Sequence, residues 1–272
     1  MAHTILAIYG DTQIGSTTAL APPVFTIHND DPKQRQEVKH NTIQQWMWPC
    51  WVDYWDYVRS LAGVRGRHRK HRIVTVHLGD VIDGNHHGTF QIIQDIGDQI
   101  QVAKDVLQPI VDMSDASFGI IGTEAHAGPA GRDEKEIYKS LGFTEYGQNL
   151  MLEVDGRLHD FAHHGRIGRR DWTSQAASIG VEVGLDCARS GIRLPDYIHR
   201  AHNHIIDDSG DKLEGTRVYC YPSWQLKTAF GHRVGANKIR SDIGAVVVVN
   251  GVMDTSHTRY KGQPEGRRVI KV

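Results

Sequence analysis

Five short segments of this 272-residue chain place acidic, amide or imidazole side chains directly after stretches that read as β-strands. They are Gly10-Asp11-Thr12-Gln13, Gly79-Asp80-Val81-Ile82-Asp83-Gly84, Gly122-Thr123-Glu124-Ala125-His126, His163-His164 and His202-Asn203-His204. In α/β sheets the carboxyl ends of strands are where ligand-binding groups collect. A single Asp after a strand is ordinarily a turn former or a helix cap, and a lone His is ordinarily packed or solvated. Five such segments in succession are a rarer coincidence. The chain holds 17 histidines, and imidazole is both the commonest metal ligand and the proton carrier best matched to neutral pH. Together these residue types can ligate metal and move protons.

The elements that must position them alternate early and turn strand-rich late. Thr4–Tyr9 reads as a buried strand and residues 22–34 as loop. Apolar residues three or four apart (Ile43, Met47, Trp51, Trp55, Val58) predict helix over 34–61, with Pro49 kinking it or opening a second helix. Strands are expected over 73–78, 117–121, 196–201, 216–221 and 243–250, and helices over 90–113, 132–141 and 172–190. Residues 149–162 read as a hairpin turning at Asp155-Gly156. Trp46, Trp48, Trp51 and Trp55 crowd one helical stretch and read as a bulky face packed on a sheet. The pattern is that of one α/β domain over residues 1–272, with a Trp-rich helical insertion over 34–62.

Composition sets the outer bounds. Hydrophobic residues at 39% and charged residues at 23% exclude a disordered or fibrous chain. The longest apolar run, Ala245 to Val249, is too short to span a bilayer, and no basic, apolar leader opens the sequence. Cys50, Cys187 and Cys220 are odd in number and form no C-x-x-C pair, which fits a reducing cytosol. Lys and Arg total 31 against 32 Asp and Glu, so overall charge gives no sign of a polyanionic partner. The run Arg65 to Arg72 is locally basic and reads as solvated loop or as a grip on phosphate backbones.

The order of the five segments resembles the calcineurin-like metallophosphoesterases, whose pattern runs D-x-H, G-D-x-x-D, G-N-H-D/E, H, G-H-x-H. The match extends from Asp11 to His204, and its second and fifth blocks fit best; in flavour it is nearest to phage-encoded and SbcD-type phosphodiesterases. The resemblance implies a four-layer α/β/β/α fold, two β-sheets face to face with helices outside. It implies two divalent cations about 3.5–4 Å apart, clamping the attacking and leaving oxygens of an in-line displacement, with a shared hydroxide as nucleophile. Asp80 would bridge them. Asp11, Gln13 and His204 would complete the first site, and Glu124, His163 and His202 the second. Mixed nitrogen and oxygen ligation admits manganese, iron or zinc. His126 would act as the acid and Asp83 would orient a ligand or its loop, while His86, His164, Arg166 and Arg169 would meet substrate.

Three departures stand out. Gln13 occupies the usual His position, Ala201 replaces a Gly, and Gly122-Thr123-Glu124-Ala125-His126 replaces G-N-H-D/E. Aligned without a gap, Thr123 takes the Asn position. With a shift, Glu124 supplies the oxygen and His126 the acid, which is the favoured alignment because leaving-group protonation needs a group titrating near neutrality. Gly84-Asn85-His86-His87 looks like G-N-H but lies too close to Asp80 for a helix and strand to intervene. The implied activity is phosphodiester hydrolysis on nucleic acid or a nucleotide, with a phosphomonoesterase and a degenerate binding module as alternatives. No membrane partner is expected, and a homodimer is admissible.

Overall fold

The computed structural model describes residues 2–29, 31, 33–64, 68–85, 90–165, 175–228 and 240–264. Thr4–Tyr9 forms β1, and Val24–Ile27 and Gln36–Lys39 pair as a hairpin, β2 and β3. Helix α1 (Thr42–Leu61) is followed by β4 (Arg72–His77), α2 (Ile96–Met113), β5 (Ala116–Ile120), a single turn α3 (Glu124–Ala127) and α4 (Arg132–Leu141). Then come β6 (Glu145–Gly147), β7 (Asn149–Val154), β8 (Arg157–Ala162), α5 (Gln175–Ser190), β9 (Tyr197–Arg200), β10 (Asp207–Asp208), β11 (Arg217–Cys220), β12 (Val246–Val249) and β13 (Val252–Asp254).

The long strands make two sheets, ordered β13-β12-β1-β4-β5-β6 and β10-β11-β9-β8-β7. Strand period explains how they stack, since alternate side chains leave opposite faces. Ile5, Ala7 and Tyr9 of β1 pack with the buried faces of α1, α2 and α4. Leu6 and Ile8 point the other way and meet Phe161, Tyr219 and Tyr221 of the second sheet. Ile198, Val218 and Cys220 on that sheet's far side cover Ala176 and Ile179 of α5. The order is helices, sheet, sheet, helix, the α/β/β/α sandwich that the resemblance implied.

Helix α1 begins where Asn41 caps it, accepting from the Ile43 and Gln44 amides while Gln44 reaches back to the Asn41 amide. It starts later than the periodicity predicts because residues 36–39 are taken by β3, and it runs through Pro49 as one helix. Its buried stripe, Gln44, Met47, Trp51, Tyr54, Trp55 and Val58, keeps the three-and-four spacing. Trp51 and Trp55 stand edge-on to Tyr9 at 5.7 and 5.0 Å, and Trp51 meets Trp224 at 5.0 Å. These tryptophans are therefore core. The segment expected as loop over 22–34 contains β2 instead, whose Phe25 and Ile27 are buried in the same core. Among the described residues no helix is long and apolar enough to cross a membrane.

Between the sheets lies a chain of buried polar rings. His159 Nδ1 is 3.0 Å from His199 Nε2, and His199 Nδ1 is 2.9 Å from the Tyr221 hydroxyl. Burial pushes His159 down to about 4, and His199 also falls well below the ordinary range. The folded state thus binds fewer protons than the unfolded chain between pH 6.5 and 4. Stability from these rings is fully present above 6.5 and is lost as pH falls through that window. Urea unfolding midpoints should drop across it, and a His159→Phe, His199→Phe double variant should flatten the dependence. An equally steep dependence in the double variant would assign the acid sensitivity to other groups.

Candidate metal centre

All five segments converge past the carboxyl ends of the strands. β1 and β4 run parallel, and their following loops are zipped together by backbone hydrogen bonds, Asp11 N to Gly79 O at 2.9 Å and Gln13 N to Asp80 O at 3.0 Å. Among the described residues nine non-glycine positions have positive φ, and five are Asp11, Gln13, Asp80, His202 and His204. Left-handed backbone costs an ordinary residue about 1–2 kcal/mol. Its concentration here marks loops shaped for their side chains.

Asp80 lies at the centre and is 1% exposed. Its Oδ1 accepts from the Thr123 amide at 2.6 Å, and its Oδ2 lies 3.1 Å from His163 Nε2 and 3.3 Å from Thr123 Oγ1. Two glycines allow this approach. A Cβ on Gly122 would run into the Asp80 carboxylate, and one on Gly79 would lie 2.7 Å from the Gly122 Cα and 2.9 Å from His163 Nδ1. Behind the centre, buried Glu134 of α4 accepts from the Val81 amide at 2.8 Å and the Gly122 amide at 2.6 Å. It clips together the loops carrying Asp80 and Thr123, twelve and more residues away in sequence.

Burial alone would raise the Asp80 carboxyl, but the His163 and His126 rings outweigh it and hold it well below the usual range. Burial would lower His163, yet the Asp80 carboxylate carries it up to about 10. The Leu78 carbonyl accepts from His163 Nδ1 at 2.7 Å, leaving Nε2 toward Asp80. Asp11 is fully buried and its carboxyl is lowered, burial being overcome mainly by His204. Burial, then the charge on Asp80, pushes Glu134 up to about 8.

The donor set fits a cation. Asp11 Oδ1 and Gln13 Oε1 are buried without a hydrogen-bond partner, an expense of roughly 1–3 kcal/mol each that an ion would remove. Asp11 Oδ1 sits 3.3 Å from His204 Nε2 without aligning for a bond. Asp11, Asp80 and His163 offer ligand atoms within 4.8 Å of one another, as do His163, His164 and His202. Thr123 Oγ1 has one proton and three neighbours, Asp80 Oδ2 at 3.3 Å, His163 Nε2 at 3.3 Å and His202 Nδ1 at 3.2 Å. Hydroxyl hydrogen bonds are typically about 2.7–2.8 Å. Ligands held by one ion at about 2.0–2.1 Å sit roughly 3.0–3.4 Å apart, which is the spacing found.

The third block departs from its favoured alignment. Glu124 is exposed, and its Oε1 accepts from the Ala130 amide at 3.4 Å. Thr123 takes the place at the cluster, and the turn of α3 explains both facts. Positions 124 and 126 lie on opposite sides of a helix, so Glu124 points outward while His126 returns over the site. There His126 Nδ1 donates to the Asp83 carbonyl at 2.7 Å, and Nε2 lies 3.5 Å from Gln13 Nε2 and 3.9 Å from Asp80 Oδ2. Asp83 contributes that carbonyl, while its carboxylate accepts from Gln91 at 2.9 Å and Gln225 at 3.2 Å. It therefore holds His126 and two loops in place. His164 stands beside His163 and His202. His86, Arg166 and Arg169 lie outside the described residues. Arg72, the last residue of the basic run, opens β4 and Asp80 follows that strand, so the strand's length, about 20 Å, separates the two, while residues 65–67 lie outside the described residues. Sequence reasoning missed Glu134, Gln91 and Gln225, for which no local signal exists.

No protein-family model and no curated protein matches the chain. Among solved structures it is similar to an archaeal phosphodiesterase, 11% identical with a TM-score of 0.40, covering 94% of this chain and 97% of that one. A Vps29 variant from Entamoeba histolytica is 11% identical with a TM-score of 0.36, over 92% and 96%. The sulfate thiohydrolase SoxB from Thermus thermophilus is 9% identical with a TM-score of 0.36, over 84% and 53%. Likenesses this weak carry nothing about what the chain binds or cuts.

Two outcomes follow from the electrostatics. A cation at His163 Nε2 must displace the proton that Asp80 holds there, so binding at pH 7 should release protons and tighten as pH rises toward 10. Calorimetry of Mn2+ binding in buffers of different ionisation enthalpy would count them; a buffer-independent heat would contradict the pairing. Glu134→Gln replaces one acceptor by a donor facing an amide, so it should weaken Mn2+ binding by about tenfold or more. Unchanged affinity would reduce Glu134 to a packing role.

Proposed function

We propose that the chain is a metal-dependent phosphoesterase of the calcineurin-like kind, holding two divalent cations and favouring phosphodiesters of nucleic acid or nucleotides. The observation that carries this reading is the buried Asp80 carboxylate set beside two donor groups. On one side stand Asp11 and Gln13 with orphaned oxygens, joined by His204; on the other stand Thr123, His163 and His202. Manganese, iron and zinc all suit such mixed donors.

Bound cations would supply Lewis-acid polarisation of phosphoryl oxygens and an ionised water at neutral pH. The remaining work falls to the chain. Asp80 and Asp11 neutralise much of the cationic charge, and their loops are held rigid by the backbone bonds between residues 11–14 and 79–83. His126 has its Nδ1 proton committed to the Asp83 carbonyl, which fixes the ring with Nε2 turned toward Gln13 and Asp80, where it is placed to act as the acid for the leaving oxygen. Tyr, Ser or Cys nucleophile arrangements are not needed for this chemistry. A diester preference accords with Gly84-Asn85 after Asp83, where phosphomonoesterase relatives carry an Arg that grips a terminal phosphate.

The test compares hydrolysis of bis-p-nitrophenyl phosphate with p-nitrophenyl phosphate, after metal removal and after Mn2+ is restored. Diester cleavage should return with metal, vanish in Asp80→Asn, and fall about 100-fold in His126→Ala with metal content kept. Monoester preference would move the reading to a phosphatase. A normally active Asp80→Asn would refute the mechanism, and wild-type chain that binds no ion would favour a binding module. If nucleic acid is the substrate, its affinity should fall steeply with added salt.

A further inference from the structure

His164 is a third imidazole at the cluster. It follows His163 just past the end of β8, where the strand's alternation no longer sends neighbours to opposite faces. Its ring centroid lies 4.8 Å from that of His163 and 4.5 Å from that of His202, and the His163–His202 separation is 5.2 Å. The three planes meet at 85°, 64° and 71°, so the rings radiate and do not stack. Three imidazoles bound at about 2.1 Å to one ion place their centroids roughly 4.5–5.2 Å apart, from right-angled to tetrahedral bonding.

The geometry points to His164 as a third imidazole ligand of the second ion, making that site nitrogen-rich and selective for zinc-class cations. The inference rests on the two-cation reading above and adds to it a ligand and a selectivity. The nitrogens offered by the three rings lie within 4.8 Å of one another. Among the described residues no hydrogen bond holds the exposed His164 ring, so rotation about its own side chain can close the remaining gap. His163, by contrast, is anchored on the Leu78 carbonyl. The second site then offers three imidazoles with the Thr123 hydroxyl and Asp80. The first site offers Asp11, Asp80, the Gln13 amide oxygen and one imidazole, His204. Imidazole suits zinc and its neighbours, whereas carboxylate and carbonyl oxygen suit manganese and magnesium. Gln13 and His164 thus push the two sites apart in the same sense.

The metal-free chain is titrated with Zn2+ in excess Mn2+, bound metals are counted by mass spectrometry, and Co2+-loaded chain is read by visible absorption. Wild type should take one Zn2+ tightly and keep one Mn2+. His164→Ala, at an exposed position that leaves thermal unfolding unchanged, should lose Zn2+ affinity by about tenfold or more and shift the Co2+ bands, with the Mn2+ site unaffected. If His164→Ala binds Zn2+ as wild type does and its Co2+ spectrum is unaltered, the inference falls while the two-cation reading stands. Two Mn2+ and no Zn2+ in wild type also overturns it. Wild type binding neither ion, or Asp80→Asn binding both unchanged, refutes the two-cation reading and takes this inference with it.

Discussion

A single buried carboxylate sets the terms for this fold. Taking an ionised carboxyl out of water costs several kcal/mol unless close partners replace the solvent, and Asp80 is 1% exposed. Its partners come from two strand ends: the Thr123 amide and the His126 ring of α3 after β5, and the His163 ring after β8. None of them is near in sequence, so the charge is tolerable only when both sheets are in register. The glycines at 79 and 122 are the steric counterpart of the same demand, because any side chain there would occupy the space of the carboxylate or its partners.

Three carboxyl groups crowd this region, and the structure treats them differently. Asp11 and Asp80 face imidazoles and stay ionised, while burial and then the field of Asp80 push Glu134 up to about 8 against two backbone amides that lower it. Asp80 is met in part by the proton it holds on His163, and a cation that displaces this proton would meet both anions at once. Five left-handed residues at the same loops fit that picture. Strain of this kind persists where the surroundings over-determine it, and here the zipped backbones of residues 11–14 and 79–83 do so.

What was legible in the sequence was whatever a strand's end dictates locally. The strand before each motif, the hairpin at Asp155-Gly156 and helix α4 lie where periodicity and turn chemistry put them. The hairpin of β2 and β3 was not legible, since Pro22-Pro23 and the acidic stretch after it speak for loop and only burial of Phe25 and Ile27 against the helices makes strands there. Thr123 against Glu124 was decided by one turn of helix, a rotation that no spacing rule fixes in so short a segment. Asp83 has the right type in the right place, yet it acts through its carbonyl, because Gln91 and Gln225 claim its carboxylate. Those glutamines and Glu134 matter only through distant loops that folding brings to them.

The abundance of histidine has two physical origins, and position within the strand separates them. His77, His159 and His199 lie inside strands, are buried, and are pushed down by burial, so they remain neutral at physiological pH. Their ring nitrogens pair with one another, with hydroxyls and with a backbone amide. The Gly79 amide donates to His77 Nδ1, His77 Nε2 faces Thr12 Oγ1 at 3.3 Å, and that hydroxyl donates to the Val81 carbonyl. His163, His202 and His204 lie past strand ends, where the backbone turns and ring nitrogens face carboxylates and a hydroxyl. A neutral ring within a strand completes a hydrogen-bond chain and needs nothing further. Rings brought together beyond the strand ends, beside two buried anions, form a donor set that suits a cation.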